Sequence, residues 1–391
     1  MGCRNRPGRQ EYSMSRVVLA MSGGVDSSVA AWLLRESGHE VIGLFMRHGL
    51  EPETASCVVG HDGARRKQGC CSAADAADAR RVADLLRIPF YSINFQPEFH
   101  RIIRYFVDEY TSGRTPNPCV VCNTWLKFGR LFEYADSVGA HYVATGHYAR
   151  LERGDNGDVA LCRGADPAKD QSYVLWGIRR ELLPRLLFPV GQHQKEEIRE
   201  IAGRLGMTVA EKPDSQEICF VPDQDHANFV RQHRGPIDTS GEIVTTDGRV
   251  VGRHHGIERF TIGQRKGLGI AFGEPRYIVR IEPGTRRVVV GTKEELARQE
   301  LTASGANWLV PAPAPLLPDR PASPSSEPSL PALLPCQVKI RYRSLPVEGI
   351  ITHLSNARFH VRFTIPCHGI APGQAAVCYQ GERVLGGGWI E

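Results

Sequence analysis

Residues 20–28 read Ala-Met-Ser-Gly-Gly-Val-Asp-Ser-Ser, and this stretch decides the fold of the N-terminal half of the chain. The apolar run Val17-Val18-Leu19 precedes it and predicts a buried parallel strand. Residues 29–34 follow and predict a helix that ends at Ser37-Gly38. Two glycines let the backbone approach a ligand closely, and the free N–H groups of a first helical turn favour an anion. The stretch therefore predicts a phosphate site between a strand and a helix.

The glycines are not followed by the Gly-Lys-Ser/Thr of the Walker pattern. The loop instead resembles the SGGxDS loop of the ATP pyrophosphatase (PP-loop) family, whose members hold ATP by its pyrophosphate and transfer AMP to an acceptor oxygen. The resemblance implies ATP binding by eight consecutive residues: Ala20, Met21, Ser22, Gly23, Gly24, Val25, Asp26 and Ser27. Beside a triphosphate we expect a Mg²⁺-linked role for Asp26. The alternative is a tight turn without a ligand, but such a turn needs only one glycine.

Composition limits the class of protein. The 391 residues predict two or three domains, and a net charge of +5 is compatible with an RNA partner. No apolar run approaches the roughly 20 residues that span a bilayer, so we expect no membrane association. Residues 1–14 are polar and basic, which predicts a disordered tail without a secretory signal. Eleven cysteines without such a signal favour a reducing compartment, and we expect a cytoplasmic protein.

Strand and helix patterns alternate through residues 15–212, which we interpret as a PP-loop ATP-binding domain. The strand patterns lie at 41–46, 90–95 and 141–145, and the helical patterns at 73–87, 99–110 and 128–138. Repeated β–α units predict an α/β fold with a doubly wound parallel sheet, whose ligands bind at the carboxyl ends of the strands. Met46 and Gly146 fall at two such ends, as the SGGVDS loop does. We therefore expect one shared nucleotide crevice.

Beyond residue 212 the helical periodicity fades and Gly-rich, β-like stretches take over. Asp247-Gly248 is a hairpin signal. We predict a small β-rich central domain at 213–283 and a C-terminal β-barrel at 284–391. Residues 311–335 hold nine prolines in 25 positions, which predicts an extended, disordered insert in that barrel.

Three cysteines are candidates for chemistry. Residues 115–123 read TPNPCVVCN and predict a stiff loop between two helices, in which Asn123 caps the second helix. Cys122 would then lie near a helix N-terminus, where a thiolate is stabilised. The third, Cys219, lies in the run SQEICF. A structural zinc half-site and a thioredoxin-like redox pair are the alternatives for Cys119 and Cys122, but no matching second CxxC or His pair accompanies them.

The sequence resembles the bacterial tRNA-specific 2-thiouridylases of the MnmA type from Ala20 to about Gln374. The shared motifs are AMSGGVDSS, GLFM ending at Met46, NPxxxCN, ATGHYA at 144–149, KDQSY at 169–173, SQEICF, FTIGQRKGLGI at 260–270, RYR at 341–343 and PGQ at 372–374. This resemblance implies ATP-dependent transfer of sulfur to carbon 2 of the wobble uridine (position 34) in tRNAs for Lys, Glu and Gln. It also implies a sulfur-relay protein or a cysteine desulfurase as the persulfide donor.

The same resemblance implies residue roles. Cys219 would carry the persulfide and Cys122 would be the nucleophile, which would leave a disulfide between them. Met46 and Gly146 would join the ATP site. The residues implied around the flipped base are Asn117, Pro118 and Cys119, and those implied on tRNA are His147, Lys169, Asp170, Gln171, Arg341, Tyr342 and Gln374. Extrusion of the base is expected because carbon 2 is shielded in a stacked anticodon.

One departure leaves the sulfur chemistry open. Many members of that family carry Asp at the position of Cys119, whereas this chain offers three thiolates. Three cysteines can hold a four-iron, four-sulfur cluster with one open iron, so sulfide bound there is the alternative to the persulfide that we favour. A PP-loop synthetase for a small molecule would explain SGGVDS but not the cysteines. A non-catalytic RNA-binding protein would explain the C-terminal half but not the nucleotide loop.

Overall fold

The computed structural model of the protein describes residues 15–48, 73–155, 157–214, 218–221, 225–310, 333–354 and 356–391. The predicted tail at 1–14, residues 215–217 of the SQEICF run and most of the Pro-rich insert lie outside these residues. Within the described part of the chain, no helix is both long and apolar enough to cross a bilayer.

The first half of the chain alternates strands and helices. Its strands are β1 (Arg16–Ala20), β2 (Glu40–Arg47), β3 (Phe90–Asn94), β4 (Tyr142–Thr145), β5 (Ala149–Arg153), β6 (Val159–Arg163) and β7 (Leu186–Leu187). Its helices are α1 (Val25–Glu36), α2 (Ala73–Leu86), α3 (Gln96–Thr111), α4 (Pro118–Val121), a π-helix (Cys122–Arg130), α5 (Leu131–Ser137), 3₁₀ turns at Ser172–Leu175, Arg180–Arg185 and Pro189–Gln192, and α6 (Lys195–Arg204).

Five of these strands form a parallel sheet in the order β3-β2-β1-β4-β7. Helices cover both faces because the strand residues are apolar on both sides. Val17 and Leu19 pack with residues of α1 and α2, whereas Val18 packs with residues of α3 and α5. The predicted doubly wound sheet is confirmed. The chain leaves β1 for β2 on one side and returns to β4 on the other, which opens a crevice at the carboxyl end of β1.

A second, smaller sheet forms the central part of the protein. The elements here are α7 (His226–Arg234), β8 (Gly241–Thr245), β9 (Val250–His254), a 3₁₀ turn at Ile257–Arg259, β10 (Tyr277–Glu282), β11 (Arg287–Gly291) and α8 (Lys293–Leu296). The sheet order is β10-β11-β8-β9, and Asp247-Gly248 turns the β8–β9 hairpin, as expected. The β10–β11 hairpin crosses the boundary that we drew at residue 283, so we place that boundary after Gly291 instead.

The C-terminal strands close into a barrel. They are β12 (Ala297–Trp308), β13 (Leu333–Lys339), β14 (Val347–Leu354), β15 (Arg358–His368), β16 (Ala375–Gln380) and β17 (Arg383–Ile390). Their order is β12-β15-β14-β13-β16-β17, and β12 also pairs with β17, which completes the ring. The predicted barrel is confirmed. The β5–β6 hairpin of the N-terminal half extends the sheet of the barrel, because β6 pairs with β17.

Candidate active site

A cavity of about 1470 Å³ lies between the carboxyl ends of the parallel strands and one side of the barrel. Every residue that the sequence singled out lines it, with the exception of Gly23. They are Ala20, Met21, Ser22, Gly24, Val25, Asp26, Ser27, Met46, Asn117, Pro118, Cys119, Cys122, Gly146, His147, Lys169, Asp170, Gln171, Cys219, Arg341, Tyr342 and Gln374. The fold therefore brings together residues that are up to 354 positions apart, from 20 to 374.

The SGGVDS loop is held in one shape by its own hydroxyls and by its neighbours. The Ser22 N–H donates to Ser27 Oγ at 3.2 Å, and Ser27 Oγ donates to the Gly24 carbonyl at 3.1 Å. Gly23 has φ +75°, and a Cβ there would lie 2.2 Å from the Asp75 carbonyl oxygen. A Cβ on Gly146 would lie 2.8 Å from the Ser27 nitrogen. Both glycines are thus required by close backbone approach.

The N-terminus of α1 opens toward the cavity. Its N-cap residue is Gly24, which offers no side chain to cap the first-turn N–H groups. Those donors and the positive end of a 12-residue helix favour an anionic group. The loop therefore fits the phosphates of a nucleotide.

Two lysines that sequence analysis missed stand beside this loop. Lys195 donates to both carboxylate oxygens of Asp26, at 2.7 and 2.9 Å, and pairs with Asp214 at 2.8 Å. Lys212 donates to the Gly23 carbonyl at 2.9 Å and to Asp75 at 2.7 Å. Lys195 is the first residue of α6, where the helix dipole disfavours a cation. That unusual placement is the signal by which the sequence could have revealed it.

The CxxC segment is helical rather than a loop. Pro118 is the first residue of α4, and the N-cap is Asn117, whose side chain accepts from the Val120 N–H at 3.3 Å. The predicted cap by Asn123 is wrong, because its side-chain nitrogen donates to the Val174 carbonyl at 3.0 Å. Cys122 begins the π-helix, a wide helical form that is frequent at functional sites.

The three candidate cysteines differ in exposure. Cys119 is exposed, whereas Cys122 and Cys219 are half-buried and pack against the same apolar cluster. All three are thiols in this structure rather than half-cystines. In the described part of the chain, no three His, Cys, Asp or Glu side chains are grouped so that they could hold a metal ion.

The barrel positions the CxxC segment. Gln374 Nε2 donates to the carbonyls of Thr115 and Pro116, at 3.1 and 3.2 Å. The Thr115 N–H donates to the Pro372 carbonyl at 2.8 Å. Because these bonds cross from barrel to α/β domain, the PGQ motif fixes where Cys119 and Cys122 stand relative to the barrel.

Several residues implied on tRNA hold the cavity wall together. Asp170 accepts from the N–H groups of Gly164 and Ser172, at 3.1 and 3.0 Å, and Gln171 Oε1 accepts from the Tyr148 N–H at 2.9 Å. His147 Nδ1 shares a 2.7 Å hydrogen bond with the Thr145 hydroxyl. Burial lowers the pKa of His147 well below its usual value, so its ring is neutral at pH 7. Contact of these residues with tRNA stays a prediction.

Comparison with known proteins follows the same division of the chain. Three family models match it in succession: the tRNA methyl transferase HUP domain at 15–223, the tRNA methyl transferase PRC-barrel domain at 227–292 and the aminomethyltransferase beta-barrel domain at 298–390. The tRNA-specific 2-thiouridylase MnmA of Rhodopirellula baltica is 52% identical in an alignment that covers 96% of this chain and 96% of that protein. The chain belongs to the tRNA-specific 2-thiouridylase family.

Other relatives in the 2-thiouridylase family match over similar lengths. The MnmA protein of Geobacter metallireducens is 47% identical and covers 97% of this chain and 98% of its own length. Among solved structures, a 4-thiouridine synthetase in complex with RNA and ATP is 18% identical over 56% of this chain and 50% of that chain. Its TM-score of 0.35 is too low to support a conclusion about the fold.

Proposed function

We propose that this protein transfers sulfur to carbon 2 of the wobble uridine of tRNA in a reaction that consumes ATP and releases AMP and pyrophosphate. One observation carries the proposal: the phosphate loop, both reactive cysteines and the residues implied on tRNA line a single cavity. Membership in the 2-thiouridylase family supports the same reaction. We place the reaction in the cytoplasm, with tRNAs for Lys, Glu and Gln as substrates.

The first step activates the base. The C2 oxygen of uridine attacks the α-phosphorus of ATP, a new O–P bond forms, and the bond to the β-phosphate oxygen breaks as pyrophosphate leaves. Ser22, Ser27 and the N-terminus of α1 hold the β- and γ-phosphates in place. Lys195 and Lys212 stand beside the loop and stabilise the charge that develops on the leaving group. A Mg²⁺ ion bound with ATP would supply further charge neutralisation, with Asp26 as the nearby carboxylate.

The second step delivers sulfur. The terminal sulfur of a persulfide on Cys219 attacks carbon 2, and AMP leaves with the former C2 oxygen. The Cys122 thiolate attacks the Sγ atom of Cys219, the S–S bond of the persulfide breaks, and its electrons stay on the sulfur at carbon 2. A Cys122–Cys219 disulfide remains, and an external thiol must reduce it. A sulfur-relay protein or a cysteine desulfurase supplies the next sulfane sulfur.

The decisive experiment follows 2-thiouridine in tRNA by mass spectrometry. A strain that lacks the protein is complemented with wild type, Ser22→Ala or Asp26→Ala, and pyrophosphate release is measured with and without tRNA. We expect tRNA-dependent release and 2-thiouridine with wild type, and loss of both with the variants, since phosphate positioning is lost while the fold survives. Pyrophosphate release that does not depend on tRNA would favour a small-molecule synthetase and contradict the proposal.

A further inference from the structure

Lys339 is a buried lysine without a counter-charge of its own. It is the last residue of β13, it is 8% exposed, and it lines the cavity. No described carboxylate lies within 4.0 Å of its ammonium group, and no described residue accepts a hydrogen bond from it. Its Nζ atom lies 5.8 Å from the ring centroid of Tyr173 and 5.9 Å from that of Tyr342. Two aromatic faces thus offset only part of the cost of burying this charge.

The surroundings of Lys339 carry surplus positive charge. The Arg163 guanidinium stacks 4.0 Å from the Tyr379 ring and lies 3.9 Å from Asp170. Arg341 donates to two carbonyl oxygens rather than to a carboxylate, at 2.5 and 2.8 Å. Asp170 is the acid that faces Lys339 and Arg163. Its oxygens already accept hydrogen bonds from the N–H groups of Gly164 and Ser172 and from the Ser172 hydroxyl. Asp170 thus faces both Lys339 and Arg163, while Arg341 has only carbonyl partners.

The opposite wall, beside the SGGVDS loop, is arranged differently. Lys195 and Lys212 are each paired with two carboxylates there. Their charge is balanced before any ligand arrives, whereas the charge of Lys339 is not. The wall that contains Lys339 therefore favours an anion of its own, in addition to the phosphates that the N-terminus of α1 favours beside the SGGVDS loop.

The position of Lys339 identifies which anion. The Tyr173 hydroxyl donates to the Ala375 carbonyl at 3.0 Å and lies near the Asn117 side chain. Tyr342, whose ring lies 6.2 Å from that of Tyr173, is near enough to Cys119 for the two groups to influence each other's ionisation. Tyr342 is also 37% exposed, which leaves an aromatic face open to a nucleobase. Lys339 is therefore adjacent to the segment that our proposed function assigns to the target base.

We propose that Lys339, with Arg163 beside it, binds the RNA backbone phosphate that flanks the target uridine. This inference rests on the proposed function, because it takes tRNA as the substrate. A phosphodiester carries one negative charge and presents acceptor oxygens, which matches an ammonium group that has two aromatic rings near it but no paired carboxylate. The phosphate then fixes the strand at the point where the base leaves the stack and enters the space beside Asn117 and Cys119.

The protonation of Lys339 gives a second, independent prediction. Burial lowers the pKa of Lys339, repulsion from Arg163 lowers it further, and Asp170 opposes both. Burial raises the pKa of Tyr173, Tyr342 and Tyr379, so these neighbours stay neutral. A bound phosphate favours the charged lysine. Lys339 therefore contributes fully to tRNA affinity at a pH below its lowered pKa. The contribution is lost as the pH rises through that pKa, which lies below the value near 10.4 at which an exposed lysine titrates.

The test compares wild type with Lys339→Met, Lys339→Arg and the control Lys293→Met in the full-length protein. Lys293 is exposed in α8 and lies outside the cavity lining, so its replacement removes one charge without altering the site. We expect Lys339→Met to weaken tRNA binding about tenfold. It should also make the salt dependence of tRNA binding less steep: the slope of the log of the association constant against the log of the salt concentration should shrink in magnitude by about 0.7 to 0.9. The ATP affinity of Lys339→Met should not change, and the control should keep the salt slope of wild type. Lys339→Arg should retain affinity to higher pH than wild type.

Thermal melting separates this role from a structural one. Because Lys339→Met removes an unbalanced buried charge, its melting temperature should equal or exceed that of wild type while tRNA binds more weakly. Unchanged tRNA affinity and slope would overturn the inference, and weaker ATP binding instead of weaker tRNA binding would assign the phosphate to the nucleotide. If wild type binds tRNA with the expected Lys339 dependence but forms no 2-thiouridine, the proposed function fails and the phosphate subsite stands.

Discussion

The Lys195 ammonium group joins Asp26, in the first turn of α1, to Asp214, which lies five residues before Cys219 in the sequence. The lysine side chain is only 5% exposed, and its contacts with both carboxylates are shorter than 3 Å. Burial alone would raise the pKa of Asp214, but hydrogen bonds from Lys169 and Lys195 lower it. One cation is thus shared between the SGGVDS loop and the segment that leads to Cys219.

Replacement of Lys195 by Met should abolish activation of the base. Asp26 would keep only the hydrogen bond from the Tyr148 hydroxyl, at 2.7 Å, and the developing charge on pyrophosphate would lose its nearest cation. Loss of one such charge-stabilising donor lowers kcat by about 10²–10³-fold. We expect that loss in tRNA-dependent pyrophosphate release, measured under saturating ATP and tRNA.

Arg199→Gln is the matched control for Lys195→Met. Arg199 also pairs with Asp214, at 3.0 Å, but it does not contact Asp26. The control should therefore keep pyrophosphate release within a few-fold of wild type. Equal losses in both variants would show that the cations serve only to neutralise Asp214.

Arg341 should serve two purposes that a pair of variants can separate. Its guanidinium donates to the carbonyls of Ile262 and Gly369, and so joins the FTIGQRKGLGI segment to the barrel. Arg341→Ala should lower the melting temperature, because two carbonyls lose their partner, and should reduce the salt slope of tRNA binding by nearly one. Arg341→Lys keeps the positive charge but loses the paired N–H donors of the guanidinium. It should therefore restore the salt slope of tRNA binding but not the melting temperature. A wild-type salt slope in Arg341→Ala would show that Arg341 joins the domains but does not contact a tRNA phosphate.

The sequence was sufficient for the architecture because hydrophobic periodicity records which faces are buried. Val17, Val18 and Leu19 form a continuous apolar run, and the structure buries them between two layers of helices. Gly23 and Gly146 were also identified, and at both positions a Cβ would lie within 3 Å of backbone atoms. Motif and period therefore located the nucleotide side of the cavity.

The residues that sequence analysis missed depend on contacts between distant parts of the chain. Lys195 meets Asp26 across 169 positions, and no local pattern encodes that pair. Lys339 looks like an ordinary strand terminus until the fold places it near the rings of Tyr173 and Tyr342. The cap by Asn123 was predicted wrongly because Pro118 already begins the helix, which makes Asn117 the cap. Tertiary contacts decided the two lysines, whereas the cap depended on where the helix begins.

The Pro-rich insert should be dispensable for catalysis. It joins β12 to β13, and each of these strands is paired on both sides within the barrel. Deletion of residues 314–332 should leave thiolation and the melting temperature nearly unchanged. A Gly/Ser segment of equal length is the control that separates composition from length. A large loss of tRNA affinity in both variants would show instead that the segment is a binding element.

Substitution of Cys119 distinguishes the two sulfur chemistries. In the persulfide mechanism Cys119 only lines the base pocket, in keeping with its exposure, while Cys122 and Cys219 pack against one apolar cluster. Cys119→Ser should then keep activity within about tenfold of wild type in colourless, aerobically purified enzyme. Cys122→Ser and Cys219→Ser should be inactive, and mass spectrometry should find a Cys122–Cys219 disulfide in wild type after a single turnover.

The cluster alternative predicts a different pattern, because Cys119 would then be an iron ligand. Cys119→Ser should lose iron, lose the visible absorbance of anaerobically prepared protein, and stop thiolation as fully as the other two variants do. We expect the persulfide result, because the proposed function assigns the sulfur to Cys219 and leaves Cys119 in the base pocket. An enzyme that requires reconstituted iron, and in which all three serine variants are equally inactive, would contradict the persulfide mechanism while leaving ATP-dependent activation of the base intact.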